Sequence, residues 1–504
     1  MPSVLALDQG TTGSTALVVA RDGRVLGRGY REVPQHFPRP GWVEHDPEDI
    51  FRSVLDAARD ALRTAGEVPQ ALGLTNQRET VIAWERATGK AVHHALVWQD
   101  RRTAERCRQL QAEVGDAYLA RRTGLVWDPY FSATKIEWLL REVPGLARRA
   151  QAGEVVFGTV DSWLAFRLTG GRAFVTDHTN ASRTLLYNIG THDWDGELLA
   201  RFGVPAASLP TIVASSGVVG VTEARHLGVE IPIAGLAGDQ QAALWGQGCW
   251  TPGQAKCTYG TGAFLLMLVG ESGGRGGRSG SSGESKLLTT MACDAAGQPT
   301  YALEGSIFIA GAAVQWLRDG LGIIRHAAET EELARGVSDT GGVYFVPAFV
   351  GLGAPHWEAE ARGTIVGLTR GTSRAHLVRA ALEAMAFSTR DVVERMSQES
   401  GLRLEGLRVD GGAAANAWLM QFQSDLLGVR VGRPDVVETT ALGAGGLAGL
   451  AVGVWNSAQE FLDARRYGWF EPGPCPETAY LQWQRAVGAA LHWARGGANK
   501  GSLG

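Results

Sequence analysis

The chain has 504 residues, more than one ordinary hydrophobic core organises, so two large domains are expected. Apolar residues at 45% and charged residues at 20% sit in the ordinary globular range, and a net charge of −4 with no Lys/Arg block leaves no footprint for nucleic acid or a membrane surface. The five scattered cysteines contain no C-x-x-C pair, which argues against a zinc site or a disulfide framework and fits reduced thiols in a cytoplasm.

From the N-terminus, "VLALD" and "TALVVA" read as strands joined by a glycine turn, and "RDG" turns the chain into "RVLGRGY". Consecutive hairpins result, not the strand–turn–helix of a nucleotide P-loop, and four apolar residues before Asp8 are too few for a signal-peptide core. "HDPEDIFRSVLDAARDALRTAG" carries helix punctuation: Asp46 as N-cap, Pro47 first, Gly66 as stop, with Ile50, Phe51, Val54, Leu55, Ala58 and Leu62 on one stripe. "ALGLT" is a strand leading into "TNQRET", and "ALVWQDRRT" places Trp98 at another strand end. "EVVFGTVDSWLAFRLTG" and "IPIAGLAGDQQAALWGQG" each read as strand, acid, helix. "GQAKCTYGTGAFLLMLVG" then echoes the first hairpin, dividing the chain into domains 1–247 and 248–504. The Gly/Ser-rich stretch 270–286 is expected to be an exposed flexible loop, and Ser373 to Gly401 a long amphipathic helix. "LRVDGGAAANAWLMQFQSDLLG" repeats strand, acid, glycine turn and helix. "ALGAGGLAGLAVGVW", Ala441 to Trp455, is too short to cross a bilayer and predicts a closely packed buried helix, with its G-x-G-x-x-A at 443–448 a packing feature.

No Walker A, H-E-x-x-H or G-x-S-x-G motif occurs. What recurs is a Gly/Thr turn between strands, at "DQGTTGS" and "TYGTGAF", where glycines let backbone N–H groups converge on an anion and threonines add hydroxyl donors. One such turn in each half points to a polyphosphate gripped from two sides. Asp8 beside that cradle would repel the phosphates unless a divalent cation, Mg²⁺, lies between them. Asp239 ends a strand and begins a helix; it either caps that helix or accepts a proton from a substrate hydroxyl in the crevice at the strand ends. Arg78 and Glu79 form either a hydroxyl clamp or a surface ion pair worth little, with spacing alone favouring the latter. Trp98 defaults to core packing.

At these motifs the chain resembles the glycerol kinase branch of the FGGY carbohydrate kinases, in the actin/hexokinase ribonuclease-H-like superfamily. The resemblance runs through "LALDQGTTGS", "PGWVEHDP", "TNQRET", "VWQDRRTAE", "TGLVWDPYFSATK", "FGTVDSWL", "DHTNASRT", "AGDQQAALWGQ", "TYGTGAF", "GLGAPHW", "RVDGGAAAN" and "TALGAGGLAGLAVG", up to about residue 455. It implies an α/β fold of two ribonuclease-H-like, actin-like ATPase domains with an interdomain cleft, phosphorylating glycerol with ATP. Glycerol would be held by Arg78, Glu79, Tyr130, Asp239 and Gln240, with Trp98 and Phe264 against its carbons, and Asp239 would be the catalytic base. ATP phosphates would meet Thr11, Thr12, Gly13 and Thr261, the nucleoside Gly311, Gln315, Gly412 and Asn416, and Asp8 would order Mg²⁺. The resemblance also implies a cytoplasmic homo-oligomer, dimer or tetramer, with no nucleic acid partner and no membrane insertion.

Three features depart from the family. Thr15 stands where the family has Arg, and the loop "EARHLGVE" lacks the glycine-rich insert of members regulated by fructose 1,6-bisphosphate. His226 in that loop lies near, but offset from, a histidine that some relatives phosphorylate. Two other readings remain: a kinase of another polyol or a ketose such as xylulose, and an actin- or chaperone-like ATPase with no small-molecule acceptor. The latter has no need of Arg78, Glu79, Trp98, Tyr130 and Phe264 together.

Overall fold

The computed structural model describes residues 1–271 and 285–496, so most of the Gly/Ser-rich stretch lies outside the described residues. The chain forms two units, the first made of 1–250, 289–302 and 438–465, the second of 251–288, 303–437 and 466–504.

In the first unit the opening hairpins are β1 (Ser3–Gln9), β2 (Gly13–Ala20) and β3 (Val25–Glu32), followed by β4 (Ala71–Asn76), β5 (Ser216–Val221) and β6 (Pro232–Gly238). They lie in the order β5-β6-β4-β1-β2-β3, with β1 antiparallel to β2 and parallel to β4, and β4 parallel to β6. The helix Pro47–Ala65 covers Leu5 and Leu7 on one face of β1 and the helix Thr439–Ala451 covers Val4 and Ala6 on the other, which explains the uninterrupted burial of Val4 to Leu7. The helix Pro47–Ala65 starts at Asp46, whose side chain accepts from Glu48 N, and stops at Gly66 in the left-handed region. Its Ile50, Phe51 and Val54 join Leu5, Leu7 and Val18 in one core, each large side chain contributing about 1.5–3 kcal/mol.

The helix Thr439–Ala451 belongs to this unit and is buried almost throughout. A Cβ on Gly73 of β4 would overlap the Ala444 carbonyl, and one on Gly443 would overlap the carbonyl of Ala242. The G-x-G-x-x-A pattern is therefore helix packing, as the sequence predicts.

The second unit repeats the plan with β7 (Gln254–Tyr259), β8 (Ala263–Leu268), β11 (Gly406–Asp410), β12 (Val431–Pro434) and β13 (Tyr467–Phe470), in the order β8-β7-β11-β12-β13. Between them in the chain, β9 (Leu288–Cys293) falls almost wholly in the 289–302 segment of the first unit, and β10 (Pro299–Ile307) runs from that segment into the second unit. Again a hairpin, β7/β8, is antiparallel, while β7–β11 and β11–β12 are parallel. The helix Arg374–Ser400 opens on a capping box between Ser373 and His376 and ends at Gly401 in the left-handed region. This is the doubled α/β plan expected of two ribonuclease-H-like domains. All five cysteines are free, and among the described residues no helix is long and apolar enough to cross a membrane.

Candidate active site

Three strand ends converge on one edge of the first sheet. Asn76 pairs with Gln9 on one side and Gly238 on the other, so Asp8, Arg78 and Asp239 emerge side by side at the carboxyl ends of parallel strands. Arg78 and Glu79 are both buried, which overturns the surface ion-pair reading. Arg78 Nε lies 3.2 Å from Asp239 Oδ1 and 3.7 Å from Glu79 Oε1, while Nη1 donates to Gln241 Oε1 at 3.3 Å and Nη2 to the Tyr130 hydroxyl at 3.4 Å. Glu79 Oε1 also accepts from Arg183 Nε at 2.6 Å.

Burying ions costs several kcal/mol each unless they are paired, and here two guanidinium groups meet two carboxylates. Glu79 adopts φ 62°, a left-handed backbone rare for a residue with a side chain, and its carbonyl accepts from Ser132 Oγ at 3.0 Å. Lys135, fully buried, donates to the Tyr130 carbonyl at 2.7 Å, and burial pushes its pKa down to about 8. The result is a rigid polar wall suited to directional contacts with hydroxyl groups.

Asp239 is the first residue of the helix Asp239–Gly246, and the N-cap position belongs to Gly238, so the capping role falls away. Its Oδ1 accepts from the adjacent Gln240 N at 2.6 Å, and its side chain stays 31% exposed, the form a reacting carboxylate needs. Gln240 follows it, half-buried.

Trp98 is half-buried, not a core residue: its Nε1 donates to Thr11 Oγ1 at 2.8 Å, and its ring meets Tyr130 edge-on at 5.5 Å. Because the Thr11 oxygen accepts from the indole, its own proton is left to donate elsewhere. The turn around it closes through Gly10 N to Gly13 O at 2.9 Å, with Thr12 exposed. Asp8 lies at the base of this turn, where burial first and the Asp239 charge second push its carboxyl up to about 7. Thr15 is paired across the strands with Asp8 and with Tyr30. His226 is on the short helix Ala224–Leu227, edge-on to Phe51 at 5.3 Å, and burial lowers its pKa.

The second unit holds a cavity of about 550 Å³, within the range of small-ligand sites. Thr261, Gly311, Gln315, Gly412 and Asn416, five residues expected to meet the nucleotide, all line it, together with apolar Val314, Leu382 and Met385. The Gly260–Gly262 turn is tied to the helix Gly311–Asp319 by Gly311 N to Gly260 O at 3.0 Å and Ala312 N to Thr261 O at 3.0 Å. Asn416 caps the helix Ala417–Leu427 through Leu419 N at 2.9 Å, which turns its Nδ2 toward Thr330 Oγ1 at 3.1 Å. Phe264 is half-buried in β8 of this same unit.

Sequence reasoning gave no role to Arg183, Lys135 or Gln241, although Arg183 lies within the quoted "DHTNASRT" and Gln241 within "AGDQQ". The available signal was an arginine, Arg183, set in a segment rich in small polar residues.

The family model for the FGGY carbohydrate kinase N-terminal domain matches residues 3–246, and that for the C-terminal domain residues 255–452. The chain is 54% identical to glycerol kinase 2 of Thermotoga maritima, covering 98% of this chain and all of that one. It is 55% identical to the glycerol kinase of Alkalilimnicola ehrlichii over 98% of this chain and 99% of the relative. Among solved structures it is similar to Plasmodium falciparum glycerol kinase with ADP, at 35% identity and a TM-score of 0.91, covering 97% of this chain and 98% of that one.

Proposed function

Because the chain belongs to the FGGY family of carbohydrate kinases, we propose that it transfers the γ-phosphoryl group of ATP to a terminal hydroxyl of glycerol, forming sn-glycerol 3-phosphate. The observation that carries the reading is the buried Arg78–Glu79 pair joined to the half-buried Asp239 beside Tyr130, a set of donors and acceptors for a small polyol that an ATPase without an acceptor does not require.

Arg78 donates to glycerol oxygens, Glu79 and Asp239 accept from glycerol hydroxyls, Tyr130 and Gln240 add polar contacts, and Trp98 and Phe264 cover its carbons. Asp239 takes the proton of the terminal hydroxyl as that oxygen bonds to the γ-phosphorus and the bond to the β,γ-bridging oxygen breaks. The transition state is loose and strongly anionic, so catalysis is mainly alignment and charge stabilisation. Thr11, Thr12, Gly13 and Thr261 donate to phosphate oxygens, while Gly311, Gln315, Gly412 and Asn416 receive the nucleoside. Asp8 fits a Mg²⁺ companion to ATP: its half-buried carboxyl feels the charge of Asp239, and a cation held there would relieve that repulsion. When bound, the ion would supply charge neutralisation along the phosphates. A cytoplasmic location is supported by the free, mostly buried cysteines, and a homo-oligomer by the family resemblance alone.

The test is ADP release measured with glycerol, xylulose, ribulose or no acceptor. Glycerol is expected to raise the rate by orders of magnitude over the acceptor-free rate, and to exceed both ketoses. Equal rates with and without glycerol overturn the kinase reading, and a faster rate with a ketose transfers it to the runner-up substrate.

A further inference from the structure

The segment Asp177–Ser182 lies directly behind the strand ends that carry the acceptor site, and nothing in the reaction described above uses it. Asp177 is fully buried and its carboxylate accepts from five donors: Thr179 N at 3.1 Å, Thr179 Oγ1 at 2.7 Å, Asn180 N at 3.0 Å, Asn180 Nδ2 at 3.0 Å and Ser215 Oγ at 2.7 Å. A threonine hydroxyl has one proton. Because Thr179 gives its proton to Asp177, its lone pairs face outward, and one accepts from Gly238 N at 2.8 Å. Gly238 is the residue immediately before Asp239.

The same segment holds the neighbouring strand. Asn76 Nδ2 donates to Asn180 Oδ1 at 3.0 Å, and Asn180 Nδ2 lies 3.2 Å from Asn76 Oδ1. Asn76 stands opposite Gly238 in the β4–β6 ladder and two residues before Arg78. Asp177, Thr179, Asn180 and Asn76 are all fully buried, so water does not compete for these bonds.

We infer that Thr179, held by Asp177, is a positioning residue for phosphoryl transfer: its hydroxyl fixes the Gly238 amide and through it the aim of the Asp239 carboxylate. This rests on the reading of Asp239 as the base. The chemistry gives the bond its importance. Reacting atoms must stand about 3–3.5 Å apart, and a misplacement of about 1 Å costs on the order of a hundredfold in rate. Thr179 is suited to the task because its β-branched side chain is stiff about χ1 and both of its hydroxyl interactions are already engaged.

The test compares Thr179→Val, Thr179→Ser and Ser215→Ala in the full-length enzyme, with Asp239→Asn alongside. Valine keeps the shape and removes the hydroxyl: kcat is expected to fall about 10- to 100-fold, with KM for glycerol and for ATP each within about twofold. Serine restores the hydroxyl and is expected to recover kcat to within about threefold of the parent. Ser215→Ala removes an equally short hydrogen bond to the same carboxylate but touches nothing next to Asp239. It is expected to lower Tm about as much as valine does while leaving kcat within about twofold. Should the valine variant not fold, Thr179→Ala, where a water fits the vacated space, carries the comparison, with a fall in kcat of at least about fivefold expected.

The inference is overturned if removing the hydroxyl leaves kcat unchanged, or if Ser215→Ala loses as much kcat as the variant at 179. In either case a dead Asp239→Asn enzyme leaves the base assignment standing. Full activity in Asp239→Asn overturns both.

Discussion

Asp239→Asn separates the basicity of one carboxylate from its shape. Arg78 Nε lies 3.2 Å from Asp239 Oδ1, which at an effective dielectric constant of about 20 corresponds to a gross attraction of about 5 kcal/mol. Little of that appears as lost stability. The Asp239 side chain is 31% exposed and pairs in a partly solvated setting, and the asparagine oxygen still accepts from Arg78. Arg78 also keeps Glu79 at 3.7 Å, Gln241 and Tyr130. The net cost to folding is about 1 kcal/mol, a fall in Tm of about 2–4 °C. The chemical cost is larger: a positioned general base contributes about 10²–10⁴-fold, or about 3–5 kcal/mol of barrier. Coupled ADP release, calorimetric titration with glycerol and a thermal melt measure the three quantities on one preparation. The expected result is kcat reduced at least a hundredfold, glycerol affinity within about threefold, and Tm within a few degrees. A variant that keeps more than a tenth of the parental kcat refutes the base assignment.

His45 is buried, and burial followed by the charge of His36 pushes its pKa down from 6.5 to about 4. A folded-state value below the unfolded one means stability that is full above about pH 6.5 and lost as the pH falls through 4, amounting to about 3 kcal/mol. Denaturant unfolding at pH 7, 5.5 and 4 is expected to show this loss, and His45→Gln to flatten it; an equal slope in the variant removes His45 as the cause. Two glycine-to-alanine changes in helices are expected to move stability in opposite directions. Gly488→Ala, in the helix Glu477–Gly496 where a Cβ meets open space, gains about 0.5–1 kcal/mol from helix propensity, whereas Gly443→Ala drives a Cβ into the Ala242 carbonyl and loses at least about 2 kcal/mol. Equal shifts in Tm would show that the helix Thr439–Ala451 is not packed as described.

What the sequence revealed and what it concealed divide by range. The caps at Asp46 and Gly66, and at Ser373 and Gly401, were legible because a cap is a contract between residues a few positions apart. The Gly/Thr turns and the strand-then-acid pattern were legible for the same reason. The state of the Arg78–Glu79 pair was not. Its burial depends on Arg183, 104 residues after Glu79, and a local reading that lacks this partner rightly prefers the surface. Trp98 is similar: its default as a core residue misses Thr11, 87 residues earlier, whose hydroxyl oxygen accepts a hydrogen bond from its indole N–H. The helix Thr439–Ala451 announced its own burial by composition, but nothing local says that Gly73 is left without a side chain to admit it. The resemblance supplied the site residues where spacing left them open, yet it named the residues that touch ligands and passed over those that hold them, Thr179 and Arg183 among them.

The two units show how one topology is turned to different chemistry by what stands at its strand ends. In the first, Asp8 of β1 faces Thr75 of β4; in the second, Thr258 of β7 faces Asp410 of β11, so the acid and the threonine exchange strands. Beyond the strand that pairs with the hairpin, the first unit continues into Gln77, Arg78 and Glu79, whose side chains fill the space with charge and hydrogen bonds. The second continues into Gly411 and Gly412, where no side chain enters and a cavity remains. Gly411 takes φ 84° with the Tyr259 carbonyl where a Cβ would be, so the turn stays small for steric reasons as well as conformational ones. A charged, filled strand end suits a ligand met hydroxyl by hydroxyl, and an open glycine strand end suits a flat ring and its sugar. The function proposed here follows from that difference in a handful of residues, since the sheet plan the units share is compatible with many others.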